Sequence, residues 1–148
     1  MSKHFTKTAI AFIAVLLFAL NASAKDPGRN TSKKIDIDLT RMSSTMVYAQ
    51  VYKMVTEPVK FIGKRIRMKG VFSSYYDQET KKRFYGCVIA DALACCSQGL
   101  AFELAKERKF PDEFPDEGEK ITIIGDFEMA EDGDDAYPII RNAKLSNE

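Results

Sequence analysis

In "GKRIRMKGVFSSYY", residues 63–76, apolar and charged side chains alternate, and a glycine takes one of the apolar places. Ile66, Met68, Gly70 and Phe72 face one way while Arg65, Arg67 and Lys69 face the other, the period-two pattern of a strand with one wet face. "KITIIGDFEM" at 120–129 repeats the device, with Ile121, Ile123, Gly125 and Phe127 on one side. A glycine inside a strand marks a sharp bend or a close backbone approach. Three further short apolar segments read as strands: "RFYGCVIAD" at 83–91, "GLAFEL" at 99–104 and "AYPIIRNAKL" at 136–145. In the first of these Gly86 is a candidate bulge. The polar runs "DQETKK" and "AEDGDD" read as hairpin turns. "FPDEFPDEGE" at 110–119 reads as a surface loop, because Pro111 and Pro115 cannot serve an interior ladder. Five short strands with glycine inside the first and fourth favour a small, strongly curved barrel.

One helix precedes the strands. Ser43 or Ser44 can cap it, and Val47, Val51, Met54 and Val55 fall on one apolar stripe. Pro58 disfavours helical geometry at Glu57, so the helix should stop there. Upstream, residues 25–42 are a flexible lead-in, within which "IDIDL" at 35–39 is either a short edge strand or extended chain. The first 24 residues combine Lys3 and Lys7, the apolar run "TAIAFIAVLLFAL" and small residues at Ala22 and Ala24. That is the make-up of a secretory signal peptide, and the apolar run is shorter than the ~20 residues a membrane span needs. The expected organisation is a signal peptide at 1–24, the lead-in, and one domain over 43–148. Its address would be periplasmic or secreted, with no membrane span after cleavage.

Cleavage removes Lys3 and Lys7 and takes the formal net charge from +1 to −1. Such a balance gives no field to attract nucleic acid. The one histidine, His4, leaves with the signal. Without it, Ser-His-Asp triads, Cys-His dyads and histidine zinc sites are closed to the mature chain, which points away from an enzyme. The acidic "EDGDD" lacks the full calcium-loop pattern and is read as a turn. The basic residues Lys64, Arg65, Arg67 and Lys69, with Tyr75, Tyr76, Phe84 and Tyr85 nearby, suggest a basic and aromatic binding face.

The three cysteines, Cys87, Cys95 and Cys96, crowd into "CVIADALACCSQGL". Two uses are open. Export favours a disulfide, and Cys87 to Cys95 or to Cys96 is easier than a bridge between adjacent cysteines. Alternatively the three thiolates converge with Asp91 on zinc or cuprous copper. Asp91 can equally cap the backbone of the turn that follows it.

The run Asp-Ala-x-x-Cys-Cys-x-x-Gly, carried by Asp91, Ala92, Cys95, Cys96 and Gly99, resembles a family of small exported bacterial proteins with an OB-like barrel. The resemblance extends from about Val47 to Leu145 and implies a fold and a compartment, with no particular activity. Cys87, Ala90 and Asp91 are also similar to a Cys-Cys-x-Ala-Asp strand of metal-linked, permease-associated proteins, with Val88 where the second cysteine would stand. The expectation is therefore a mainly β, five-stranded OB-like barrel with one N-terminal α-helix. It would act as an exported accessory module binding a metal ion through its cysteines, or as a disulfide-stabilised module binding a polymer or an envelope protein. N-terminal sequencing of the exported form should begin at Lys25; a retained Met1 would remove the compartment and with it the argument for oxidised cysteines.

Overall fold

The computed structural model describes residues 34–90 and 96–147. Among the described residues the chain is mainly β, with six strands in one sheet and one α-helix. Strand β1 (Ile37–Asp38) is followed by a 3-10 turn at Leu39–Arg41, helix α1 (Ser44–Thr56) and a second 3-10 turn at Pro58–Lys60. Strands β2 (Arg65–Tyr76), β3 (Arg83–Ala90), β4 (Ser97–Leu104), β5 (Lys120–Asp132) and β6 (Asp135–Asn147) follow. The sheet order is β1-β2-β3-β4-β6-β5, and β2 also pairs with β5.

The alternation in β2 translates directly into burial. Ile66, Met68 and Phe72 are at most 1% exposed, and their outward neighbours carry the charges. Ile121, Ile123 and Phe127 of β5 are fully buried against them. Gly70 and Gly125 sit where two strands touch. A Cβ on Gly70 would lie 2.5 Å from the Val88 carbonyl oxygen, and one on Gly125 would lie 2.5 Å from the Arg141 carbonyl oxygen. At Gly70 the strand changes partner: residues 65–71 pair with β5, and 71–76 pair with β3. Gly86 is not a bulge. It stays in register with Ser73 and Ala101, and a Cβ there would meet nothing closer than 3.8 Å.

Helix α1 begins and ends where its sequence signals place it, although the Ser43 side chain makes no capping bond. Val51 and Met54 are fully buried in the core and Val47 packs against it, but Val55 is 38% exposed, so the buried stripe is narrower than its periodicity implies. Residues 37–41 belong to the fold and not to a lead-in. Ile37 pairs with Ile66 in a parallel ladder, and Leu39 is 1% exposed in the core. Of the two options for "IDIDL", the edge strand is the one adopted.

The 105–119 connection is less peripheral than two prolines suggest. Phe114 packs against the core with its ring stacked on Tyr85 at 4.3 Å, and Pro115 is buried. The loop is stitched to β2: Glu119 accepts from the Phe72 N–H, Gly118 donates to the Phe72 carbonyl, and the Glu117 carboxylate accepts from Ser74 N and Oγ.

The glycine contacts make a sharp contrast. Gly125→Ala should destabilise the chain by about 1–3 kcal/mol through forced overpacking, whereas Gly86→Ala should stay within about 0.5 kcal/mol. Urea denaturation of the two variants checks this; equal losses would contradict the strand contacts described.

Candidate functional site

Cys87 occupies an inward position of β3, opposite Phe72 on one side and Leu100 on the other. It is fully buried, and its sulfur fills the space left by the missing side chain of Gly70, where a Cβ would come within 2.8 Å. Burial pushes its thiol up from 9.0 to about 12. Cys87 stands as a free thiol, with no disulfide to Cys96. The register gives the reason for Cys96. Cys87 lies opposite Leu100, while Ala90 lies opposite Ser97, which places exposed Cys96 four residues farther along the ladder. That is about 13 Å at the rise of a strand, against the ~4.4–6.8 Å between the Cα atoms of a disulfide. Asp91 and Cys95, the other two members of the expected metal set, lie outside the described residues. Among the described residues no three metal-ligating side chains converge.

The expected basic and aromatic face divides in two where β2 bends. Its cations lie beside β5 and are engaged: Arg65 with Asp126 at 3.0 Å and Arg67 with Asp38 at 3.2 Å. Hydrogen bonding from Thr40, assisted by Arg67, holds the Asp38 carboxyl below its usual range.

The rings lie on the other half. Tyr75 is directly opposite Phe84 on the outer face of β2 and β3, and Tyr137 of β6 meets Phe84 edge-on at 6.3 Å. The next row across the sheet is Ser73, Gly86, Ala101 and Ile139, and beyond it stand Val71, Val88 and Gly99. Small residues between the Tyr75 and Phe84 rings on one side and Val88 on the other make a trough of about 230 Å³. It shares Phe84, Tyr85 and Ala101 with a second cleft of about 510 Å³ that runs under the Arg108 and Phe114 side chains of the loop. Burial raises the Tyr85 hydroxyl above its ordinary value, with Arg83 opposing. The Arg83 guanidinium lies between rings, 3.9 Å from the Phe110 centroid and 5.2 Å from that of Tyr76.

Two sets of charges at the rim are paired. Lys82 meets Asp132 at 2.9 Å, tying the 77–82 turn to the end of β5, and Arg141 bridges Glu103 and Glu128. Tyr75 and Phe84 were legible in the sequence as aromatics near the basic residues. Tyr137 was not, because only the parallel pairing of β4 with β6 brings it there. Phe114 carried one signal, a repeated aromatic inside an acidic loop. No family model matches the chain, and no curated protein matches it at a significant level.

The buried thiol has a consequence for stability against pH. A folded pKa above the unfolded value favours folding fully below about pH 9 and progressively less as pH rises towards 12. Relative to Cys87→Ala, the wild-type chain should lose up to about 1.4 kcal/mol per pH unit in that window. Urea denaturation of both proteins at several alkaline pH values tests it; a constant difference up to pH ~11 would mean that the thiol is not buried as described.

Proposed function

We propose that this chain is a five-stranded OB-like barrel working as an exported binding module without catalytic chemistry, and that its ligand is an uncharged polymer with flat apolar faces, of the glycan class. The pairings that return from β5 to β2 support the barrel, since β2, β3, β4, β6 and β5 then follow one another in a ring. In OB barrels the second and third strands and the two adjoining hairpin loops form the ligand face. Here the corresponding elements are β3 and β4, with the 77–82 turn joined to β5 through Lys82 and Asp132.

The observation that carries the ligand class is the trough itself, the Tyr75 and Phe84 rings beside a floor of Ser73, Gly86 and Ala101, with Tyr137 edge-on to Phe84 in the adjoining cleft. Beneath it β3 pairs with β2 on one edge and with β4 on the other, so a peptide finds no free ladder to extend there. Recognition is left to ring faces, hydroxyls and shape. Sugar rings offer C–H faces to aromatics and hydroxyls to the rim. The paired rim charges give a polyanion such as nucleic acid little to bind.

Isothermal titration against soluble neutral glycans, anionic glycans and peptides tests the reading. At least one neutral glycan should bind, and Phe84→Ala should weaken it about tenfold through the loss of one stacked ring. Lys144→Ala, on a strand position outside the trough, should change the affinity less than about twofold. Binding of anionic polymers alone, or equal affinities for wild type and Phe84→Ala, would refute it.

A further inference from the structure

The segment from Tyr52 to Lys64 has a second surface that the fold does not use. Its inward residues fix it firmly. Val51 and Met54 are fully buried, and Phe61 is 7% exposed and packs edge-on against Phe127 at 6.0 Å. Gly63 N donates to the Phe127 carbonyl at 2.8 Å, and the Lys64 carbonyl accepts from Phe127 N at 2.9 Å. On this base four of the outward residues are apolar: Tyr52 is 51% exposed, Val55 38%, Val59 80% and Ile62 50%. Val59 stands at the centre of the Pro58–Lys60 turn.

Three lysines, Lys53, Lys60 and Lys64, share the segment with a single acid, Glu57, which is already paired with Lys60. This combination distinguishes between occupants. Protein interfaces are depleted in lysine and centre on buried Trp, Tyr and Arg anchors. A bilayer surface takes aliphatic side chains into its headgroup boundary and draws flanking lysines to anionic lipids. Among the described residues no helix is long and apolar enough to cross a membrane, so contact through this segment would be at the surface.

We propose that residues 52–64 form a docking face for an anionic lipid bilayer, with Val59 and Ile62 entering the headgroup region and Lys53, Lys60 and Lys64 held by lipid charge. The face is separate from the aromatic trough, and its occupancy does not depend on what the trough binds.

The chain contains no tryptophan, so Val59→Trp installs a single reporter at an exposed position. Its emission should shift to the blue with vesicles of phosphatidylglycerol and phosphatidylcholine, and not with phosphatidylcholine alone. In co-sedimentation with the anionic vesicles, Val59→Asp combined with Ile62→Asp should reduce bound protein at least about tenfold, and Lys64→Gln about fivefold. Circular dichroism of each variant establishes that it is folded; if the double aspartate variant unfolds, the tryptophan reporter still decides. An unshifted emission, or equal sedimentation of wild type and the folded aspartate variant, would overturn the proposal. So would a blue shift that grows with protein concentration in the absence of vesicles, since that assigns the face to a second copy of the chain.

Discussion

Strand β2 serves two ladders. Its first half is a partner of β5 and its second half a partner of β3, and the exchange occurs at Gly70 and Val71. A strand can do this only by bending sharply, and a bend brings backbones together on its inner side. At Gly70 the approach is so close that no Cβ fits between β2 and the Val88 carbonyl. The Cys87 sulfur takes up the remaining space. Most of what distinguishes the molecule follows from this bend. It allows five long strands to pair in succession, and it decides which outward side chains become neighbours.

The consequence for recognition is a division of labour along one strand. Before the bend, β2 presents Arg65 and Arg67 beside the acids of neighbouring segments, and their charges are spent within the fold. After it, Ser73 and Tyr75 join Gly86, Phe84 and Ala101 in a trough with rings on one side, and Tyr137 meets Phe84 from the adjoining cleft. The 105–119 loop closes the same end of the sheet, with Phe114 against Tyr85 and Glu117 satisfying Ser74 at the edge of β2. That carboxylate also occupies a backbone donor that an open edge would offer to another chain. The face left for a ligand is one of side chains.

The strands were legible because a half-buried strand writes its period into the sequence, as Ile66, Met68 and Phe72 do in β2. Gly70 and Gly125 announced the curvature for the same reason: they interrupt an apolar row without changing its parity. Gly86 looked similar and is not, since apolar residues at both parities of β3 hide which glycine stands at a crossing. The short β1 was legible only as one of two options, because two residues hold no period, and Leu39 reveals its place only through the core it enters. The cysteines misled by proximity in sequence. Along a ladder, four steps separate Cys87 from the level of Cys96, and the inward direction of Cys87 was readable from its place beside Ile89 in the alternation. Tyr137 needed a contact between strands far apart in the chain, which no local pattern encodes.

The central claim is that recognition takes place on the outer face of β2, β3 and β4, by side chains across closed ladders. Amide chemical-shift mapping of the isotope-labelled protein during titration with a neutral glycan that binds it addresses the claim most directly. The largest shifts should fall at Ser73, Phe84, Gly86, Gly99 and Ala101, with the amides of residues 52–64 unmoved. Shifts concentrated around Cys96 and Ser97, with Gly86 and Ala101 unchanged, would contradict it and return the site to the cysteine turn.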